Sequence, residues 1–186
     1  IRGAGNILGD EQSGHVAAVG YDLYAQMLEA AIADLKQEMP VEDFEPDINL
    51  ILPAKIPDAF VADASLRLTL YKQVSSAQTL NELSEIREEW QDRFGILPSE
   101  VENLFKLIGL HVRCKKLLIS GLKQKGLQIA LSFHPEHRVD TALLTEAISR
   151  NPKKFSLARD GAFVITQVFD SPDQLLIYLG ELLDKL

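Results

Sequence analysis

The strongest constraint on this chain is the stretch from Ala64 to Leu118, where three amphipathic helices follow one another with short, punctuated turns. Leu66, Leu70, Tyr71, Val74 and Ala77 recur at helical spacing and give the first helix one apolar face. Thr79 with Glu82 three residues on has the form of a capping box: the hydroxyl accepts an amide N–H of the first turn while the carboxylate reaches back to the cap. The second helix is predicted to run to about Phe94, where Gly95 and Pro98 stop it. Ser99 with Glu102 repeats the pattern and predicts a second capping box opening the third helix. Helices joined by turns this short pack on one another, so the rest of the chain is expected to assemble around them.

The middle helix divides its faces sharply. At 100° per residue, Leu80, Leu83, Ile86, Trp90 and Phe94 form one stripe, with Trp90 expected as a core anchor. Glu82, Glu85, Glu89 and Asp92 fall on the far side, with Glu88 nearby. Glu89 and Arg93 make a favourable i,i+4 pair, whereas Glu85–Glu89 and Glu88–Asp92 are like-charge pairs, each unfavourable by roughly 0.2–0.5 kcal/mol. The plainest reading is a solvated acidic face; the sharper one is a docking surface for a basic partner. Acid–base catalysis by these carboxylates ranks behind both, because nothing nearby predicts a concave, water-excluding site.

The chain has 186 residues, 46% hydrophobic and 25% charged, which is enough for a proper core. Its net charge of −8 and pI near 5.0 argue against an extensive nucleic-acid surface, since phosphate contact requires Lys and Arg. The single cysteine, Cys114, allows no internal disulfide and fits a reducing, cytoplasmic setting; its place on the third helix predicts a buried structural thiol. No apolar run approaches the ~20 residues of a membrane span, and no signal peptide is visible, so no membrane partner is expected. The chain opens on Ile1 inside what reads as a motif, and is expected to be a piece of a longer protein.

Residues 1–19 are punctuated by Gly3, Gly5, Gly9 and Gly14 without helical or alternating pattern. They match neither a dinucleotide fingerprint, whose last interval is one residue shorter, nor a phosphate loop, which ends in Gly-Lys-Ser/Thr. A helix capped by Asp22 is predicted to about Gln37, followed by an acidic, proline-containing connector over 41–47. Ile48–Leu52 reads as a short strand ended by Pro53. Beyond the three helices, 118–123 and 127–133 alternate around a turn at 124–126, predicting a hairpin. Asp140 caps a helix to about Ser149, carrying Leu143, Leu144, Ala147 and Ile148 as its apolar residues, and a second hairpin turns at Asp160-Gly161. Ser171-Pro172-Asp-Gln174 opens a closing helix with Leu175, Leu179, Leu182, Leu183 and Leu186 inward. The predicted fold class is α+β: a three-helix layer packed with two β-hairpins and further helices, after a glycine-rich segment and a linker helix. The predicted division is 1–19, 20–47 and a domain over 48–186.

Several of these stretches resemble a known family. Arg2-Gly-Ala-Gly with Gly9-Asp-Glu-Gln12-Ser-Gly14 is similar to the RGxGexxGxxQSG signature that follows the motor of RecG and Mfd DNA translocases. Tyr21-Asp-Leu-Tyr24, Phe60-Val-Ala-Asp63 with Leu66-Arg-Leu-Thr-Leu-Tyr71-Lys72, and Asp92-Arg-Phe-Gly-Ile-Leu-Pro98 resemble passages of the Mfd family, the transcription–repair coupling factors, and favour it over RecG. The resemblance implies the tail of a translocation motif followed by a C-terminal regulatory domain. Arg2 and Gln12 would be the residues coupling ATP-driven closure of the motor to movement on duplex DNA. It implies a parent that is an ATP-dependent translocase, removes stalled RNA polymerase and recruits UvrA. This chain would have no catalysis and no cofactor of its own, ATP and Mg²⁺ belonging to the parent's motor. The implied task of the domain is autoinhibitory: it docks on the protein's own N-terminal UvrA-binding module, which presents arginines, through Glu85, Glu89 and Asp92, with Glu82 peripheral. The alternative is an accessory nucleic-acid-binding module of a RecG-like helicase using Arg113, Lys115, Lys116, Lys123 and Lys125. His134 and His137 supply two potential metal ligands where a site needs three or four, and are expected to sit in a surface loop.

Overall fold

The computed structural model describes residues 44–186. Arg2 and Gln12, the glycine-rich segment and the helix predicted after Asp22 lie outside the described residues. Three helices form the centre as the sequence requires: α1 (Ala64–Ser75), α2 (Leu80–Phe94) and α3 (Ser99–Leu117). Asp63 caps α1 through the Leu66 amide at 2.7 Å. Thr79 caps α2, accepting from the Glu82 amide at 3.2 Å, and the Glu82 carboxylate returns to the Gln78 amide at 2.8 Å. Gly95 ends α2 with φ of 82°, a conformation that admits glycine at little cost.

The second predicted capping box does not form. Pro98 occupies the cap position of α3 without a side-chain bond, and Ser99 is already helical. Glu102 is drawn instead to Arg87 of α2, with a bidentate pair at 2.6 and 3.0 Å. An ion pair between two packed helices outcompetes a local backbone bond because it is charge-assisted on both sides.

The predicted hairpins belong to one five-stranded sheet, ordered β1-β2-β3-β5-β4. Its strands are β1 (Asp47–Asn49), β2 (Ile119–Lys125), β3 (Gln128–Phe133), β4 (Phe155–Leu157) and β5 (Phe163–Thr166). β3 and β5 join the hairpins antiparallel, and β1 lies parallel to β2. Three boundaries differ from expectation. The first turn sits at Gly126-Leu127, because Lys125 pairs with Gln128. The second loop spans three residues, closed by the Ala158 amide on the Ala162 carbonyl, with Asp160 accepting from the Ala162 amide. The strand expected over 48–52 pairs only as far as Asn49. Beyond it Leu50, Leu52, Ala54 and Ile56 still bury alternately in the core, without further strand pairing.

α4 (Thr141–Arg150), capped by Asp140, and α5 (Pro172–Leu183), capped by Ser171, complete the fold. α5 packs along α3 with Leu175, Leu176, Leu179 and Leu183 buried. Of the apolar residues expected on α4, Leu144 is buried, Ala147 and Ile148 pack against the core and Leu143 is 39% exposed. Cys114 is fully buried in α3, where burial pushes its thiol up to about 12, so it is inert packing.

The start of the described chain is pinned to this core. The Glu45 carboxylate meets His111 Nε2 at 2.8 Å and Lys115 Nζ at 2.7 Å, while the Phe44 ring stands edge-on to His134 at 5.4 Å. Burial pushes the Glu45 pKa up, but hydrogen bonds from His111 and Lys115 and their charges outweigh it and bring it from 4.5 to about 2. A carboxylate with a lowered folded-state pKa stabilises above its unfolded value and loses that contribution as pH falls through the folded one. With partial solvent screening the contribution at neutral pH is about 1–2 kcal/mol. Glu45→Gln is therefore expected to lower the unfolding free energy by that amount at pH 7. In urea titrations the gap to wild type narrows as pH drops from 4.5 towards 2; a gap independent of pH contradicts the assignment.

Candidate functional site

The acidic face of α2 is built from the inside outwards. Trp90 has no solvent exposure, its ring standing T-shaped to Phe105 of α3 at 5.0 Å. Leu83 is buried beside it, and Ile86 and Phe94 pack against the core; Leu80, at the first turn, is 40% exposed and only edges the stripe. This packing fixes the rotation of the helix and turns Glu82, Glu85, Glu88, Glu89 and Asp92 to solvent.

The carboxylates are not equivalent. Glu82 is occupied by the cap and Glu85 accepts from Asn81 Nδ2 at 2.8 Å. Glu89 accepts from Arg93 Nη1 at 2.8 Å on one oxygen and from Gln73 Nε2 at 2.7 Å on the other. Gln73 in turn takes the Trp90 indole N–H on its own oxygen at 2.9 Å. A relay thus runs from the core through Trp90 and Gln73 to Glu89, holding that carboxylate at a defined place on an exposed surface. The hydrogen bonds from Arg93 and then Gln73 hold its pKa below the ordinary value, so it stays ionised. Asp92, one turn from Glu88 and three residues from Glu89, has no hydrogen-bond or ion-pair partner among the described residues and faces water. Arg93 stays local, lying over the Phe94 ring at 5.0 Å.

The structure brings Glu82, Glu85, Glu89 and Asp92 onto one ridge; Gln73, the residue that orients Glu89, was invisible in sequence. It lies on α1, and no periodicity links positions 73 and 89. The ridge is water-exposed, suited to reversible charge pairing and not to general acid–base chemistry.

The basic set behaves differently. Arg113 is paired bidentately with Asp184 at 2.7 and 2.9 Å, Lys115 with Glu45, and Lys123 with Asp47 at 2.5 Å. Lys116 and Lys125 are exposed, but with three of the five cations paired within the domain the set is weakened as a phosphate-binding row. His134 and His137 use their Nδ1 atoms to accept from the Glu136 and Val139 amides at 3.2 and 3.3 Å, so both rings shape their own loop. Among the described residues no three His, Cys, Asp or Glu side chains converge as a metal requires. No helix among them is long and apolar enough to cross a membrane.

Comparison with known proteins places this geometry. The TRCF domain model matches residues 50–144, about half of the chain, covering the acidic helix and its supports. The transcription-repair-coupling factor of Myxococcus xanthus is 37% identical over 160 residues, covering 86% of this chain and 13% of that protein. That of Rickettsia conorii is 36% identical over 187 residues, covering all of this chain and 15% of that protein, and that of Escherichia coli 36% over 162 residues, 84% and 14%. The chain thus spans about one seventh of the length of these relatives. A crystal structure described as the C-terminal domain of transcription-repair coupling factor superposes with a TM-score of 0.63 at 20% identity, covering 78% of this chain and 96% of that one, and so shares the fold. The chain belongs to the transcription-repair-coupling factor family.

Proposed function

We propose that this chain is the C-terminal part of a translocase that couples stalled transcription to DNA repair, and that residues 48–186 are its autoinhibitory domain. In this reading the parent's motor uses ATP and Mg²⁺ to move on duplex DNA and displace RNA polymerase. The domain described here covers the surface that recruits UvrA by docking on the N-terminal module of the same protein. Residues 1–19, with Arg2 and Gln12, join the domain to the motor.

The observation that carries the reading is the ridge of α2. Its core-anchored relay holds Glu89 in place beside an unpaired, solvated Asp92, and the rest of the domain leaves this face uncovered. One fixed and one free carboxylate suit arginine recognition on a partner, and the exposure suits release. A coupling of about 1–3 kcal/mol changes exposure of the masked surface some 5- to 150-fold.

The test is charge reversal, Glu89→Arg with Asp92→Arg, in the full-length protein. UvrA affinity, measured by calorimetry, is expected to rise by at least about fivefold, with an unchanged circular-dichroism melting curve. Equal affinity in a folded variant removes this face from the contact.

A further inference from the structure

β4 is an edge of the sheet, pairing on one side with β5. Its ladder alternates in a way that fixes which backbone groups are left over. The Lys154 carbonyl accepts from the Thr166 amide at 2.7 Å and the Ala158 amide donates to the Ala162 carbonyl at 2.8 Å. Residues 154, 156 and 158 are therefore the hydrogen-bonded positions, and Phe155 and Leu157 direct their N–H and C=O groups away from β5. The Phe155 amide is satisfied by the Asn151 carbonyl at 3.0 Å. The Phe155 carbonyl and both polar groups of Leu157 remain, a three-point template for another strand.

Natural edges are commonly blunted, and here the surroundings are selective rather than closed. The Leu157 side chain, at the end of β4, is 60% exposed. From Ala147 to Phe169 the chain carries four cations, Arg150, Lys153, Lys154 and Arg159, against a single acid, Asp160, in a protein of net charge −8. Arg150 is paired with Glu146, and Lys154 lies over the Tyr178 ring at 4.4 Å. Lys153 and Arg159 are exposed at either end of β4, with no carboxylate partner among the described residues. These two charges bracket the outward-facing groups of Phe155 and Leu157.

We propose that the β4 edge is a peptide-docking site that takes an extended acidic segment of another protein by strand addition. A partner residue opposite Leu157 exchanges two backbone hydrogen bonds with it, and the Phe155 carbonyl accepts a third. An apolar partner side chain covers Leu157, and carboxylates at the flanks meet Lys153 and Arg159. Duplex DNA fits the two cations but leaves the strand groups and Leu157 unused. This surface is separate from the acidic ridge: β4 packs on β5 and α4, and α2 on α1 and α3.

The experiment titrates the ¹⁵N-labelled 186-residue chain with the blocked peptide Glu-Thr-Val-Thr-Val-Thr-Glu, whose valines and terminal carboxylates share one face of a strand, and separately with a short DNA duplex. Peptide-dependent shifts centred on the amides of β4 and β5, with slowed exchange of the Leu157 N–H, are expected. Leu157→Pro removes the outward donor without touching a β5 bond, and is expected to weaken the peptide by about tenfold or more, as is Lys153→Glu with Arg159→Glu. Leu157→Ala keeps the backbone donor and is expected to weaken it less than Leu157→Pro. Absence of shifts at β4 overturns the proposal. So does equal binding by a folded Leu157→Pro variant, or perturbation of β4 by the duplex but not the peptide.

Discussion

Trp90→Ala is expected to cost about 3–5 kcal/mol of unfolding free energy, a large share of the roughly 5–15 kcal/mol typical of a domain. The indole has no solvent exposure and fills the space between α2 and Phe105 of α3, so truncation leaves a cavity where the central helices meet. It also leaves the Gln73 side-chain oxygen without its donor. Trp90→Phe separates the two effects, keeping most of the volume and losing the N–H; its cost is expected nearer about 1–2 kcal/mol. Denaturant unfolding followed by circular dichroism measures both, since the chain's one tryptophan is removed in each case. Equal costs for the two variants show that packing is not the dominant contribution. Because Gln73 bridges Trp90 and Glu89, the folded Trp90→Phe variant also loosens the carboxylate at the centre of the ridge. A functional defect there without a large loss of stability separates positioning of Glu89 from its mere presence.

How far these features could be read beforehand depended on range. The helices of the centre were legible because their signals are local: Thr79 and Ser171 cap as the pattern demands, and Gly95 stops α2 where its positive φ is needed. The acidic ridge was legible too, since a helical projection separates Trp90 from Asp92 whatever surrounds them. Contacts between distant segments were not. Ser99 and Glu102 have the form of a cap, yet Arg87, fifteen residues upstream of Glu102, takes the carboxylate. Two hairpins were readable, but their fusion through β3 and β5 depends on buried faces that carry no register information in one dimension. The paired state of Arg113, Lys115 and Lys123 was equally hidden, because their carboxylates sit at positions 184, 45 and 47.

The segment from Leu50 to Ile56 is the clearest case of structure built without a regular element, and it yields the second large effect. It buries alternate residues without strand pairing, so its backbone groups find partners elsewhere: the Ile51 amide donates to Gln124 Oε1 of β2 at 2.9 Å, and Pro53, Lys55 and Ile56 use helices. The Pro53 carbonyl accepts from Asn103 Nδ2 at 2.9 Å, the Lys55 amide donates to the Glu100 carbonyl at 3.2 Å, and the Ile56 amide donates to the Tyr71 hydroxyl at 2.8 Å. Asn103, 6% exposed, is the one buried amide side chain among the described residues, and it is the donor that clamps this segment to α3. Asn103→Asp replaces that donor with an ionised acceptor facing a carbonyl oxygen, and is expected to cost about 3 kcal/mol at pH 7. The burial and the opposed carbonyl favour the protonated acid, whose O–H can donate to Pro53, so the folded-state pKa of the introduced carboxyl lies above its unfolded value. Such a group destabilises progressively as pH rises above its unfolded pKa of about 3.9, and regains most of its loss below it. Asn103→Leu, which removes the donor without adding a charge, is expected to show a smaller loss with no such slope. Because Glu45 makes the wild type itself weaken in acid, the quantity to measure is the difference from wild type at each pH. If the loss in the Asn103→Asp variant stays constant from pH 4 to pH 8, the new carboxylate has turned to solvent, and the clamp on Pro53 is not what holds this segment down.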